Sequence, residues 1–451
     1  LVTIDGLRAD HTSLYGYRRD TTPKLRELSK ESARFVWAFA PCSYTAPSHA
    51  SMLTSKYPSF HELGFFNEFG KARINGSVAA ILHGLGYATG AFLSTIVLRR
   101  TTGLDIGFEH YDDECMQPEA NRPEILWRRG ADTLDAALQW LEPMKADDCF
   151  LWIHLMDIHG PYTPPHPFDR LFVRDDYWQA ERSLECVRDG EVGGVPAYQV
   201  LRASRDGLGS ITDYEHDWNY YVSQYDGSIR YVDEVISTLV KTLKRQGIWD
   251  DTLLFITADH GEAMGENNIF FFHGLTVTLD QIRVPLLIKP PKGITIRRRV
   301  VESPVSTLDI VPTILEIVSY DYHFLGLQGR SLLPRLIRRQ TSPHYIFSET
   351  EDQCSLVTDQ YQYLSAKPEP ANREHSFTLP ESLRREMVFE YKRDPLGGRD
   401  ISFETRILSK LRPISQQFMG LAQLAHDRIR GVQTAESAPS PLSIEDEARL
   451  R

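Results

Sequence analysis

Runs of apolar and β-branched residues at 1–4, 35–40, 89–93, 149–155, 253–257 and 284–288 read as strands buried on both faces. Between them lie stretches at 23–32, 77–85, 132–141, 219–246 and 307–317 whose apolar positions recur at helical spacing. The longest carries Tyr225, Ile229, Val232, Ile236, Leu239 and Leu243 along one stripe. Buried strands alternating with amphipathic helices predict an α/β fold, a three-layer α/β/α sandwich around a mostly parallel sheet.

The pattern changes twice. Residues 164–218 begin PPHPF and continue rich in Asp, Arg and Gly, which predicts an irregular insertion over the sheet edge. Beyond about residue 336, short alternating runs at 345–348, 355–358 and 387–391 predict a small C-terminal α+β subdomain with antiparallel strands. The expected organisation is a large domain over 1–335, the subdomain over 336–404, and a segment at 405–451 that is helical and then polar. SAPSPLS within that tail reads as a flexible stretch.

Three groups of residues carry candidate chemistry, each at a strand end. In VTIDGLRAD, Asp5 follows a strand directly, where open α/β sheets gather ligands and where a carboxylate suits a hard metal. In LLFITADHGE, Asp259 and His260 offer an oxygen and an imidazole side by side. In CSYTAPSHASMLT, Pro47 suits the first turn of a helix, which puts Thr45 just ahead of the helix N-terminus. There it can act as a simple N-cap or as a metal-activated nucleophile. Arg8 and Asp10 are expected to lock the loop after the first strand. Asp226 and Asp233 are expected on a solvated or ion-paired face of the long helix.

Composition narrows the classes. A net charge of −11 over 451 residues argues against nucleic acid as a partner. No apolar run reaches the roughly 20 residues of a transmembrane segment. The chain opens LVTIDG, on a strand already in progress, which suggests that the N-terminus is truncated and leaves the compartment unknown. Five cysteines without a CxxC pair predict reduced thiols and mildly favour a reducing compartment.

The segments HLMDIHGPYTPP, YDGSIRYVDEVISTLVKTLKRQGIWDDTLLFITADHGEAMGE, IRVPLLIKPP and VSTLDIVPTILEIV, in that chain order after VTIDGLRAD and CSYTAPSHASMLT, resemble the sulfatase family of the alkaline phosphatase superfamily. SLVTDQYQYL and MVFEYKRDPL resemble the C-terminal subdomain of that family. The resemblance implies a metal-dependent hydrolase of phosphate or sulfate esters, acting on a small-molecule, lipid or sugar ester. It implies that Asp5, Thr45, Asp259 and His260 bind a divalent metal, with Ca²⁺ or Mn²⁺ expected and Zn²⁺ or Mg²⁺ as alternatives. Thr45 occupies the position of the nucleophile. His159 is expected at the anion or leaving oxygen, and His273 at the leaving group or, with His159 or Asp157, at a second metal. His49, which replaces the family's Arg, and Lys289 are expected to bind the anion.

The departures steer the chemistry. Classical sulfatases convert a Cys or Ser at the nucleophile position to formylglycine, which Thr45 cannot yield. Gly6 stands where many sulfatases carry a second Asp. A phosphothreonine is resolved by in-line attack at phosphorus, whereas a threonine sulfate lacks the hemiacetal exit of a formylglycine. Phosphoester hydrolysis or phospho-group transfer is therefore favoured. Sulfate-ester hydrolysis without formylglycine and a catalytically silent anion-binding protein are the alternatives.

Overall fold

The computed structural model describes residues 1–61, 63, 76–144, 148–173, 183–205, 211–337, 345–368, 379–395 and 397–430. A nine-stranded sheet forms its centre. In chain order its strands are β1 (Val2–Ile4), β2 (Ala33–Phe39), β3 (Ala88–Phe92), β4 (His110–Asp112), β5 (Cys149–Leu155), β6 (Leu254–Ala258), β7 (Arg283–Lys289), β8 (Val300–Val301) and β9 (Val305–Ser306). They lie in the order β8-β2-β7-β6-β1-β5-β3-β4, with β9 also on β2. Only β7 runs against the rest; it is antiparallel to both β6 and β2.

The helices that flank the sheet are α1 (Pro23–Leu28), α2 (Thr45–Thr54), α3 (Val78–Gly84), α4 (Gly130–Leu141), α5 (Trp218–Arg245) and α6 (Ile310–Ile317). They pack in two groups: α5 touches α1 and α4, while α2 touches α3 and α6. These are the two outer layers of the sandwich expected from the alternating pattern. The described elements of 164–218 are a four-residue helix, a 3-10 turn and strands of two or three residues.

The C-terminal sheet is antiparallel throughout: β10 (Ile346–Glu349), β11 (Gln353–Val357), β12 (Gln362–Ala366) and β13 (Met387–Phe389). The alternating pattern predicted three of these four strands and missed β12. Gln362 and Ser365 interrupt its apolar alternation, yet Gln362 is buried and its amide donates to Val277 O and Ser355 Oγ. Trp37, Phe39, Ile282, Ile346, Leu364 and Tyr391 form the apolar seam between the two sheets. The last helix, α7 (Thr405–Arg430), covers the small sheet, with Phe418 stacked on Phe347 at 4.1 Å. The polar tail containing SAPSPLS lies outside the described residues. Among the described residues no helix is long and apolar enough to cross a membrane.

Of the two readings of Asp226 and Asp233 the ion-paired one holds: both are buried, Asp226 beside Arg19 at 2.7 Å and Asp233 beside Arg230 at 3.6 Å. Asp226 accepts from Tyr17 and Arg19 and meets His11. Asp233 accepts the backbone N–H groups of Lys24 and Leu25 at 2.8 Å, and so ties the first turn of α1 to α5. Helical spacing cannot distinguish such a pair from a wet face, because the partners lie about 200 residues away in sequence. Burial pushes the Asp233 carboxyl up to about 6, against 3.8 for the free group. Between about pH 4 and 6 the folded chain therefore keeps a proton that the unfolded chain has lost. The stability that this proton confers is complete below about pH 4 and is lost as pH rises through 6. Urea melts across pH should thus show the advantage of the wild type over Asp233→Asn shrinking by on the order of 2–3 kcal/mol from pH 4 to pH 7.

Candidate metal and nucleophile site

The parallel pairing of β1 with β6 matches Ile4 to Ala258, so the next residues, Asp5 and Asp259, emerge side by side at the carboxyl end of the sheet. β2 ends at the same edge, and the chain passes through Tyr44 into α2, whose first residue is Thr45. Gly6 turns the chain away at φ +68°, a backbone conformation that favours glycine, and its N–H donates to Asp259 Oδ1. The loop that follows is fixed from α5 and by Arg8. Tyr225 donates to Gly6 O, and Arg8 forks onto Asp10, pairs with Glu266 and donates to Glu262 O.

The four candidate ligands converge. Thr45 Oγ1 lies 3.5 Å from Asp5 Oδ2 and 3.2 Å from His260 Nε2. His260 Nε2 is 3.6 Å from Asp5 Oδ1 and 3.5 Å from Asp259 Oδ2. These spacings are long for hydrogen bonds. They match the edge of about 3.4 Å between donors each roughly 2.1 Å from a shared tetrahedral ion. Asp5 Oδ1 and Asp259 Oδ2 are buried without a hydrogen-bond partner, as carboxylate oxygens reserved for a cation would be. Asp5, Asp259 and His260 form one ion-sized group of ligand atoms.

Electrostatics point the same way. Burial drives Asp259 well above the usual carboxylate range, and the neighbouring charge of Asp5 adds to the shift. Burial would raise Asp5 too, but the His154 imidazole beside it and the charges of His159 and His260 hold it well below that range. A divalent ion between the two carboxylates would favour the ionised form of both. His260 is prepared for such an ion. Its Nδ1–H donates to Gly261 O at 2.8 Å, which leaves the Nε2 lone pair facing the carboxylates.

His49, expected at the substrate anion, belongs to a relay behind the site. Trp152 Nε1 donates to Thr3 Oγ1, Thr3 donates to His49 Nε2, and His49 Nδ1 donates to Thr45 O. Both ring nitrogens are therefore spent and the side chain is buried. That corrects the anion-binding expectation: His49 fixes the first turn of α2 and the carbonyl of Thr45. The same bonds remove it as a ligand, although it lies near His154 and Asp259. Burial, reinforced by His154, keeps its imidazole neutral.

Lys289 is also corrected. It pairs with Leu254 at the start of β6, five residues before Asp259, or roughly 17 Å along the strand. Its ammonium donates to the carbonyls of Trp249 and Thr252 and sits over the Trp249 ring. The strand pattern located β7 but could not show that it runs antiparallel, which sends its end to the wrong edge.

His159 and His273 do reach the site. Their rings lie 5.2 Å apart, and His273 stacks on His260 at 4.2 Å. His159 Nδ1–H donates to Gly160 O, so its Nε2 is the free acceptor. His273 Nδ1 bonds Glu262 Oε1 at 3.1 Å. Gly274 lets this turn close, since a Cβ there would lie 2.3 Å from the Tyr44 ring. Burial lowers the pKa of both histidines. Asp157, proposed for a second metal, instead accepts the N–H of Gly130 at the start of α4. Neither metal-sized group among the described residues includes His159, His273 or Asp157. Ser43 donates to Thr276 O and Cys42 to Tyr44 O, so neither stands in for Thr45.

Sequence reasoning missed Glu262, although it was quoted within ADHGE. Burial pushes its carboxyl up to about 7. It missed His154 and the Arg122–Glu119 pair as well. Arg122 forks onto Glu119, which lies 4.0 Å from His159. Nothing in one sequence marks these residues; strand register and loop path bring them in.

Two outcomes follow from this placement. Mn²⁺ at about 100 times its Kd should stabilise the chelator-treated protein by about 2.7 kcal/mol in thermal melts, and Asp259→Ala should abolish the shift. Lys289→Ala, assayed as folded protein, should keep kcat/KM within about twofold of the wild type.

The chain is similar to curated relatives in sequence and to solved structures in fold. The multifunctional alkaline phosphatase superfamily protein PehA of Trinickia caryophylli is 25% identical over 314 residues, 63% of this chain and 57% of its own length. The choline-sulfatase of Rhizobium meliloti is 31% identical over 356 residues, 69% of this chain and 66% of its own. The chain thus spans 57–66% of the length of these two curated relatives. The phosphonate monoester hydrolase of Silicibacter pomeroyi has the same fold, with a TM-score of 0.70 at 21% identity over 98% of this chain and 97% of that one. Residues 1–320 match the sulfatase family, and the chain belongs to that family.

Proposed function

We propose that the chain hydrolyses phosphate or phosphonate esters through a covalent intermediate on Thr45. The observation that carries this reading is the position of Thr45 Oγ1, at the first turn of α2 and 3.2–3.5 Å from His260 and Asp5. Asp5, Thr45, Asp259 and His260 would hold the metal. Two carboxylates, an imidazole and a hydroxyl suit Mn²⁺ or Zn²⁺ better than Ca²⁺, which prefers six to eight oxygens. A cation bound there supplies charge that acidifies the Thr45 hydroxyl and offsets charge on the transferring group.

The chain's own groups do the rest. Thr45 Oγ1, its proton lost to solvent so that it enters as the alkoxide a bound cation would stabilise, attacks phosphorus as the bond to the leaving oxygen breaks, and that oxygen departs with the bonding pair. His273 gives its Nε2 proton to the leaving oxygen while its Nδ1 takes a proton from Glu262, whose carboxyl burial pushes up to about 7. Water then attacks phosphorus in line and gives its proton back to His273 Nε2, and Thr45 Oγ1 is released. His159 lies on the same side, with its ring 5.2 Å from that of His273.

Sulfate esters are the second reading, because choline-sulfatase is among the relatives. Against it stands Thr45, which cannot form the aldehyde, with Cys42 and Ser43 bonded elsewhere. Nitrophenyl phosphate, phenylphosphonate and sulfate substrates should be assayed in parallel with Mn²⁺. The expected result is phosphorus-ester turnover that falls by on the order of 10³-fold or more in Thr45→Ala and persists in Thr45→Ser. Sulfate turnover that survives in Thr45→Ala would overturn the assignment. Tight metal binding without turnover of any substrate would favour a silent anion-binding protein.

A further inference from the structure

His154 is the one histidine of this cluster whose two ring nitrogens both lack a hydrogen-bond partner. It is fully buried, on β5. The register pairs it with Thr3, and alternate residues of a strand share a face, so His154 lies on the same face as Thr3 and Asp5. Its Nε2 is 3.5 Å from Asp5 Oδ2. Trp152, two residues earlier on the same face, donates to Thr3. A buried imidazole with nothing to bond calls for an explanation, since a phenyl ring would fill the space without desolvating two nitrogens.

We propose that His154 is a positioning residue: its Nε2–H holds Asp5 in the orientation that receives the divalent metal. This inference rests on the metal reading of the site. Asp5 Oδ2, at 3.5 Å, is the acceptor within reach of Nε2, so the carboxylate favours the form of the ring that carries an N–H there. The N–H fixes Oδ2 and leaves Oδ1, which has no partner, turned toward His260 Nε2 at 3.6 Å. Thr45 Oγ1 also lies 3.5 Å from Oδ2, so the rotation of one carboxylate sets the relation between nucleophile and ligands. His260 is oriented by Gly261 O and Asp259 by the N–H groups of Gly6 and His260; His154 completes the set for Asp5. His49, packed edge-on at 4.9 Å, cannot serve, because both its nitrogens are engaged.

The test is metal affinity, measured calorimetrically with Mn²⁺ and spectroscopically with Co²⁺, on wild type, His154→Phe and His154→Asn. His154→Phe should bind either metal about 10–100-fold more weakly. Its Co²⁺ absorption bands at saturation should match those of the wild type, since no ligand has been lost. His154→Asn, which keeps an N–H donor, should recover most of the affinity, and this variant carries the test if His154→Phe does not fold. His154→Phe affinity within twofold of wild type would overturn the proposal, as would His154→Asn affinity no better than that of His154→Phe. Altered Co²⁺ bands would overturn it in favour of direct ligation by His154. A wild type that binds neither metal would overturn the metal reading itself, and this inference with it.

Discussion

Two buried carboxylates side by side are a state that a folded protein avoids without a compensating charge. Parallel pairing of β1 and β6 forces Asp5 and Asp259 into that state at the carboxyl edge of the sheet. Much of the surrounding structure offsets or uses the resulting repulsion. Gly6 and His260 give backbone N–H groups to Asp259, while His154 and Thr45 face Asp5. One oxygen of each carboxylate stays unpartnered, aimed at the same space as His260 Nε2. A divalent ion held there would offset the repulsion, and the proposed chemistry of the site builds on that.

The rest of the fold holds this edge rigid. The loop after β1 is tied down by Arg8 and by Tyr225 of α5, and the start of α2 is held by the Trp152–Thr3–His49 relay. The candidate ligands and Thr45, the proposed nucleophile, thus sit on strand ends and a helix turn backed by buried hydrogen bonds, which would limit the reorganisation needed on metal binding. His159 and His273 come from loops, and each has one nitrogen fixed by a neighbour.

Much of this was legible in the sequence, for local reasons. A strand that runs straight into Asp5, or into Asp259–His260, declares both the element and the end of the sheet. A helix opening at Pro47 declares where Thr45 stands. What stayed hidden depends on register and direction. His154 reads as one more residue in a buried strand until pairing with Thr3 sets it beside Asp5. Lys289 resembles a strand-end cation until the antiparallel direction of β7 carries it to the opposite edge. His49 resembles a replacement for an anion-binding Arg until both its nitrogens are seen to be used. For Asp226 and Asp233 the sequence leaves a solvated and an ion-paired face equally open, because several of their partners come from the start of the chain.

The claim on which the account depends is that Asp5, Thr45, Asp259 and His260 surround a single ion. Anomalous diffraction from crystals grown with Mn²⁺ tests it most directly. The account predicts one strong peak at this edge of the sheet, about 2.0–2.2 Å from His260 Nε2 and from an oxygen of each aspartate. No peak between these side chains in crystals of active, metal-dependent protein, or a peak held by other residues, would contradict it.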